Sequence, residues 1–514
     1  MNVTSSYSAA NKRIAKNTLY LYLRMGISML VSLYTSRVVL EALGVVDYGI
    51  YGVAGGVVSM FTFINSSMSG ATSRFINFAM GKGDKQRMTL TFNMAFYVHL
   101  IIAALLLIIC ETVGLWFLNN RLVIPIERLF AANCVFQLSV LSMLLGITQV
   151  PYGASMIAHE NMKIYAYVEM VNVIVRLLIV YLLSVFMYDR LIFYAILLFI
   201  VTFCVRVFYR LYCMRNYKEC RLMVCWDGAL LKQMLSFSGW DLYGNMSVMA
   251  RTQGINMLLN MFFGPAVNAA SSIAVHVQGA VAGFAANVST AVKPQIIKYY
   301  AQKNYKEMVD LMSNAVRLNF LILMFVTIPL LIELPYVLSI WLVKVPDYVV
   351  SFCSFTLLFN FFGNMSFTLV TGVHATGRIV RPSLINGTLY LMVVPFTFIA
   401  FKLGCNPSSP YLFNVLAVII GMLSNAYTMH IYVDEFSFRR FFFRDFLPCI
   451  FVLSVCYSSC YVIRDFLKEG FIRLLFTTIL STAILGLMGY FLLIPRAVSS
   501  MMMTKVIKIC KKVW

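Results

Sequence analysis

Apolar residues recur along the chain in long runs that short polar gaps separate. An α-helix rises about 1.5 Å per residue, so about 20 apolar residues cross the hydrocarbon core of a bilayer. The runs lie at residues 17–40, 48–71, 90–113, 128–150, 164–187, 191–213, 234–262, 267–291, 314–342, 348–373, 383–403, 410–432, 445–463 and 471–494. This pattern predicts an all-α integral membrane protein of about 14 transmembrane helices.

Composition agrees with the apolar pattern. Hydrophobic residues make up 61% of the 514 positions and charged residues only 12%, whereas soluble domains are about 25% charged. The gaps between runs are too short for a catalytic domain, so no catalytic residue is predicted. The 12 cysteines lie mostly inside the runs without a CxxC pair, so neither a metal site nor a disulfide framework is expected.

Basic residues concentrate in alternate gaps, although the formal net charge is +21 overall. The basic gaps lie at residues 12–16, 74–87, 215–232, 293–306, 378–381, 439–444 and 505–512. Short loops rich in Lys and Arg stay cytoplasmic, so both termini are predicted to be cytoplasmic. The charge is therefore interpreted as a topology signal that also attracts anionic membrane lipids, and nucleic acid is not an expected partner.

An internal repeat relates two parts of the chain. Residues 44–88 align with residues 264–308 at a constant offset of 220 without a gap. The repeat predicts two six-helix lobes related by a pseudo-twofold axis along the membrane normal, followed by two C-terminal helices. Parallel repeats of this kind occur in transporters, with the substrate path between the halves. The predicted divisions are an N-lobe at 1–213, a cytoplasmic linker at 214–233, a C-lobe at 234–432, and helices 13–14 with a basic cytoplasmic tail at 433–514.

Five arginines fall inside the predicted spans, where an ionisable side chain is costly and usually faces an interior or a water-filled cavity. They are Arg24, Arg37, Arg176, Arg206 and Arg251. Arg24 shares a polar stripe with Asn17 and Ser28, and Arg251 lies near the middle of helix 7. We interpret Arg24, Arg251 and Arg37 as candidate cavity residues, Arg176 as the partner of Glu169, and Arg206 as an interface anchor.

Helix 7 also carries a polar face of amide and hydroxyl residues. We predict that Asn245, Thr252 and Asn256 line a cavity with Arg251. A cationic, hydroxylated cavity favours an anionic substrate, because arginine holds phosphate through paired hydrogen bonds.

The inner ends of helices 2 and 8 are rich in small and hydroxyl residues, and each ends in a base. The candidate residues of an inner vestibule are Asn65, Ser69, Arg74, Asn287, Ser289 and Lys293. Small residues also permit close helix packing, so a packing role and a vestibule role both stay open.

Three stretches resemble bacterial polysaccharide flippases: residues 35–51, residues 150–167, and residues 251–256 together with 262–268. The chain resembles the O-antigen (Wzx-type) branch of the multidrug/oligosaccharidyl-lipid/polysaccharide exporter superfamily. The resemblance implies a flippase in the bacterial cytoplasmic (inner) membrane. It would move a polyprenyl-pyrophosphate-linked oligosaccharide, such as an O-antigen, capsule or exopolysaccharide repeat unit, to the outer leaflet by alternating access.

The same resemblance implies cavity roles for cationic residues of helices 1, 2, 7 and 8, here Arg24, Arg37 and Arg251. The family pattern has a base deep in helices 2 or 8, whereas this sequence has only Arg74 and Lys293 at their inner ends. The implied partners are a lipid-linked anionic glycan and other membrane proteins of polysaccharide assembly. No cofactor is implied beyond a possible coupling cation, H⁺ or Na⁺.

Two alternatives stay open at the level of sequence. A cation-coupled multidrug exporter of the same superfamily would be expected to carry acidic residues deep in a lobe. A membrane-embedded polysaccharide polymerase or ligase would be expected to carry a sizeable outer loop with clustered charges.

Overall fold

The computed structural model describes residues 17–28, 31, 38–39, 42–43, 47, 50–51, 62–120, 124–185, 189–342, 345–464 and 466–493. Within these ranges the chain consists of helices joined by short turns, and no strand occurs in them. A helix satisfies its own backbone hydrogen bonds, which lipid cannot do for it. The predicted all-α membrane fold is confirmed.

The chain divides into two compact units, Met1–Leu242 and Tyr243–Trp514. The helices of the first unit are α1 at 17–28, α2 (Thr62–Gly81), α3 (Lys85–Ile109), α4 (Leu129–Ala158), α5 (Met162–Val185), α6 (Arg190–Asn216) and the first part of α7 (Gly228–Phe263). The unit boundary lies inside α7, whereas the sequence interpretation separates the lobes at the linker 214–233. The predicted lobe boundaries stay a prediction.

The second unit continues from α7 with seven further long helices. They are α8 (Pro265–Ala301), α9 (Tyr305–Ile332), α10 (Val349–Thr376), α11 (Val380–Lys402), α12 (Ser409–Tyr432), α13 (Phe438–Arg464) and α14 (Phe471–Met488). Its apolar core includes Leu259 of α7, Ala274 of α8 and Phe352 of α10, all excluded from solvent.

Among the described residues, 10 helical segments are long and apolar enough to cross a membrane. The helices α7 and α8 are not among them, although they contain 36 and 37 residues. Their amide, hydroxyl and basic side chains lower their hydropathy, which is the property expected of helices that face a polar interior. The predicted number of about 14 spans is therefore not confirmed.

The predicted span 314–342 is interrupted in the structure. The helix α9 ends at Ile332, and a separate short helix covers Leu334–Trp341. Pro335 stands in the first turn of the short helix, where its missing N–H costs nothing and its fixed φ favours a helix start. The single-span prediction at this place is wrong because the break at Glu333 lies inside a continuous apolar run.

Two ion pairs join the C-terminal helices to the segment around α9. Arg317 of α9 pairs with Asp445, which lies in a π-helical turn at the start of α13, and both side chains are buried. Glu333 is fully buried and accepts two hydrogen bonds from Arg473 of α14, at 2.9 and 2.8 Å. The carboxylates neutralise two arginines that lipid would not solvate, so α13 and α14 are integral parts of the second unit.

The turn between α4 and α5 is joined to the segment that follows α6. His159 Nε2 and Glu219 Oε1 lie 2.6 Å apart, and the imidazole stacks on the Tyr217 ring with 4.0 Å between centroids. Asn17 of α1 donates a hydrogen bond to the Glu160 carbonyl, at 3.0 Å. These contacts fix three separate stretches of the first unit to one another.

Candidate functional site

A cavity lies inside the second unit, among α7, α8, α10 and α12. Side chains from all four helices line it, and most of them are polar or aromatic. They are Arg251, Thr252, Ile255, Asn256, Ser271, Val275, Gln278, Phe355, Thr356, Phe359, Tyr411 and Asn414. The cavity brings together three predicted cavity residues: Arg251, Thr252 and Asn256.

The guanidinium of Arg251 is buried among aromatic rings. Its central carbon lies 4.4 Å from the ring centroid of Tyr390 and 5.1 Å from that of Phe359, and the residue is only 8% exposed. Its Nε and Nη1 are closed off from solvent and have no hydrogen-bond partner in the described part of the chain. Two donors on a positive charge are therefore available to an oxyanion in the cavity.

A chain of hydrogen bonds orients the polar wall beside Arg251. The Tyr411 hydroxyl donates to Ser271 Oγ at 2.7 Å, and Ser271 donates to Asn256 Oδ1 at 2.8 Å. Since the Asn256 carbonyl oxygen accepts this bond, its NH₂ group is left as a donor. Thr252 donates to the Val248 carbonyl at 2.9 Å, so its oxygen keeps acceptor capacity.

The charge of the cavity has one sign. None of the described residues that line it is Asp or Glu, and Arg251 is its charged group. Amide and hydroxyl groups surround that charge without neutralising it. In a region of low dielectric this arrangement attracts an anion and disfavours a cation.

Close packing against α11 fixes the position of α7 at the cavity. A Cβ atom on Gly387 would lie 2.5 Å from the Tyr243 ring and 3.0 Å from Ser247 Oγ, and a Cβ on Gly254 would lie 2.8 Å from Val394. Glycines at these positions therefore let the two helices approach closely. This contact holds the segment of α7 that carries Arg251.

The remaining predicted cavity residues lie elsewhere. Arg24 of α1 belongs to the first unit, where its guanidinium lies 5.1 Å from the Tyr165 ring centroid. Asn245 is half-buried and engaged in contacts, and it does not line the cavity described above. Arg37 lies outside the described residues.

The predicted vestibule residues are divided between the two units. In the first unit, Arg74 is buried and lies over the rings of Phe75 and Phe237 at 4.6 and 5.7 Å. Ser69 of α2 is half-buried, and the side chain of Asn65 lies outside the described set. The structure therefore gives Arg74 an aromatic packing environment.

In the second unit, Ser289 accepts a hydrogen bond from Asn319 of α9 at 3.0 Å. Asn287 is buried, Lys293 is half-buried, and both are engaged in contacts. The packing role that the sequence leaves open has direct support at Ser289, and the vestibule role stays a prediction.

Sequence reasoning missed several residues of the cavity wall. Ser271, Val275 and Gln278 of α8 follow the spacing of one helix face, a periodic signal that could have identified them. Thr356, Tyr411 and Asn414 carry no such signal, because their position depends on how α10 and α12 pack.

Solved structures similar to the chain are transporters of one fold. An outward-facing multidrug resistance MATE family transporter of the MOP superfamily matches with TM-score 0.70 and 14% identity, over 82% of this chain and 96% of that one. A second match is a MOP superfamily transporter from Pyrococcus furiosus, which is described as having a binding pocket of reverse polarity. Its TM-score is 0.66 and its identity 13%, over 82% of this chain and 96% of that one. A MATE transporter in the bent conformation matches with TM-score 0.68 and 13% identity, over 82% and 96%. At these identities the likeness concerns the fold.

No curated protein matches the chain significantly. A profile of the family described as polysaccharide biosynthesis protein matches residues 14–300, which is more than half of the 514 residues. The matched region includes α7 and α8 with Arg251, Asn256 and Gln278. The chain belongs to the polysaccharide biosynthesis protein family, and it shares the fold of MOP superfamily transporters.

Proposed function

We propose that the chain is a flippase for a polyprenyl-pyrophosphate-linked oligosaccharide, which it moves from the cytoplasmic to the outer leaflet of a bacterial cytoplasmic membrane. The observation that carries the proposal is the buried guanidinium of Arg251, with two unpartnered donors in a cavity without acidic lining residues among those described. Membership of the polysaccharide biosynthesis family supports a glycan substrate.

The diphosphate of such a substrate fits the chemistry of the cavity. A guanidinium presents its N–H groups in a planar fork that matches phosphate oxygens, and the NH₂ group of Asn256 adds a neutral donor. The free cavity holds a positive charge that no described anion neutralises, so binding an anion removes an electrostatic cost that the empty carrier bears. The polyprenyl tail stays in lipid while the sugars cross with the diphosphate.

Alternating access through this cationic cavity would complete the cycle, with both termini cytoplasmic and H⁺ or Na⁺ as the candidate coupling ion. Other membrane proteins of polysaccharide assembly are the proposed partners that deliver or consume the lipid-linked glycan, and anionic lipids are the proposed partners of the basic loops. Arg24 and Arg37 are proposed as further cationic residues of the path.

The positive charge of the cavity favours this proposal over cation-coupled drug export. Exchange of a cationic drug for a cation requires an acidic side chain in the binding region, whereas the described lining residues supply an arginine and no carboxylate. A polymerase or ligase has no observation in its favour, because the family and the similar folds are those of transporters.

Deleting the gene and analysing inner-leaflet lipids by mass spectrometry tests the proposal. The expected result is accumulation of one lipid-linked oligosaccharide, which wild-type protein removes and Arg251→Gln protein removes at least tenfold more slowly. Arg439→Gln, which changes an exposed base at the start of α13, is the matched control and should complement fully. Absence of any accumulating glycolipid, together with new drug sensitivity, would overturn the proposal.

A further inference from the structure

A second group of polar side chains lies in the first unit, with Tyr209 buried and the others half-buried. We call it the α5–α6 cluster and define it as Tyr165 and Glu169 of α5 with Arg206 and Tyr209 of α6. Arg206 and Tyr209 each interact electrostatically with Glu169 and Tyr165, so the four residues form one set. Arg24 of α1 lies over the Tyr165 ring, at 5.1 Å from its centroid, and it interacts electrostatically with Tyr209.

Arg206 contributes one hydrogen-bond donor to the α5–α6 cluster. Its Nη2 lies 4.0 Å from the position that a Cβ atom on Gly146 of α4 would occupy, so the guanidinium packs onto a neighbouring helix. Its Nε is closed off from solvent and has no hydrogen-bond partner among the described residues. Arg206 is half-buried, and its interpretation as an interface anchor stays a prediction.

Tyr209, which lies near Arg206 on α6, provides a second hydrogen-bond donor without a partner among the described residues. Tyr209 is only 4% exposed, and its hydroxyl is likewise buried without a hydrogen-bond partner in the described chain. Buried polar groups are normally paired. One N–H and one O–H therefore lie within the same cluster without a protein acceptor.

The one described carboxylate of the α5–α6 cluster does not satisfy these donors. Glu169 accepts a hydrogen bond from Asn172 at 3.5 Å, and Asn172 accepts one from Arg176 at 3.2 Å. No ion pair joins Arg206 to an acidic side chain in the described part of the chain. The cluster together with Arg24 therefore contains two arginines and one carboxylate among the described residues, so it keeps a positive charge.

From this geometry we infer that the α5–α6 cluster is a second anion-binding site, in which Arg206 and Tyr209 donate hydrogen bonds to one oxyanion. The inference rests on the proposed function for its ligand, an acidic group of the transported glycolipid. That group is either the diphosphate of the carrier or the carboxylate of an acidic sugar, which share the same acceptor chemistry. Glu169 limits the affinity of the site, because it repels the same oxyanion.

Calorimetric titration of the purified full-length protein with inorganic pyrophosphate, and separately with glucuronate, tests the site. Arg206→Gln should weaken binding of one of the two anions at least tenfold, and the anion affected identifies the source of the ligand. Glu169→Gln should strengthen binding of the same anion several-fold, an opposite effect that a merely structural role would not produce. Arg215→Gln changes an exposed base at the end of α6 and should change nothing.

Wild-type affinity for both anions in Arg206→Gln protein, or no binding of either anion to the wild type, would overturn the inference. If Arg206→Gln protein fails to fold, Tyr209→Phe removes only the hydroxyl donor and should weaken binding of the same anion several-fold. Unchanged affinity of Tyr209→Phe protein would then overturn the inference.

Arg251→Gln distinguishes the α5–α6 site from the Arg251 cavity. Loss with Arg251→Gln alone refutes the α5–α6 site and leaves the proposed function standing, whereas loss with Arg206→Gln alone supports the α5–α6 site. The proposed function fails separately, if deleting the gene causes no lipid-linked oligosaccharide to accumulate.

Discussion

At the scale of single residues, Arg251 shows how a buried charge is retained. Stacking on Tyr390 and Phe359 contributes about 0.5–2 kcal/mol for each cation–π contact. Removing the charge from water costs several kcal/mol, so the rings offset only part of the cost. The rings alone therefore do not account for the retention of this charge in the cavity.

Arg317 and Asp445 are the opposite case, a buried charge that the protein itself neutralises. Asp445→Asn leaves the guanidinium of Arg317 without its anion, and we expect the free energy of unfolding to fall by about 3–5 kcal/mol. Thermal unfolding in detergent would measure the loss. Asp310→Asn, at an exposed position of the same helix α9, is the matched control and should change stability by less than about 0.5 kcal/mol.

A double replacement separates the charge from the packing. Arg317→Met combined with Asp445→Leu removes both charges and fills the space with apolar groups, so it should unfold much closer to the wild type than Asp445→Asn does. Equal losses in the single and double variants would contradict the view that an unpaired charge causes the destabilisation.

At the scale of elements, the contact between α7 and α11 sets the position of the cavity charge. Gly387→Ala would place a Cβ 2.5 Å from the Tyr243 ring, so the ring or the two helices must shift. We expect a loss of about 1–3 kcal/mol from overpacking and slower glycolipid transport, because Arg251 moves relative to Tyr390. Complementation rate and thermal unfolding measure the two effects.

Gly239→Ala, in the partner helix α7, is the control, since a Cβ there meets nothing within 4 Å. It should be neutral or slightly stabilising, because alanine favours a helix more than glycine does. A Gly387→Ala protein with wild-type stability and transport would refute the packing argument.

The segment after α6 has a pH dependence of its own. Burial raises the pKa of Glu219, but hydrogen bonds from His159 and from its own backbone N–H outweigh this effect and lower the pKa below its usual value. Stabilisation of the folded state by Glu219 is therefore complete above the unfolded pKa of about 4.3 and is lost as pH falls through the lower folded pKa.

Hydrogen exchange of the segment around Tyr217 and Glu219 measures this stabilisation. Wild-type protein should be better protected than Glu219→Gln protein at pH 7, and the difference should vanish in strong acid, once the wild-type carboxyl is protonated. Glu435→Gln, at an exposed site after α12, should match the wild type throughout. A difference that persists in strong acid would show that the contact does not depend on the charge of Glu219.

At the scale of the whole molecule, lipid solvation explains what could be predicted from the sequence. A membrane requires long apolar helices, so the runs at 348–373 and 410–432 agree closely with α10 (Val349–Thr376) and α12 (Ser409–Tyr432). The polar face of α7 indicated Thr252 and Asn256 for the same reason, because lipid does not tolerate them.

Contacts between distant parts of the chain explain what could not be predicted. The sequence near Glu333 does not indicate that Arg473 is its partner, although Pro335 beside it is a local signal for the break in the span 314–342. Asn414 lines the cavity only because α12 packs against α10 and α11, and the guanidinium of Arg206 packs beside Gly146 of a different helix. Each of these features depends on tertiary packing.

The polarity of α7 also bears on how the protein enters the membrane during synthesis. On insertion scales an arginine at the centre of a helix costs about 2.5–3.5 kcal/mol, and the amides of α7 add to that cost, so α7 is a poor substrate for the translocon by itself. Only Gly264 separates α7 from α8, which favours release of the two into lipid as one helical hairpin. The polar surroundings of Arg251 are complete only after α10 and α12 have also been inserted. The arginine that would hold an anion in the folded carrier therefore constrains the order in which the helices assemble in the membrane.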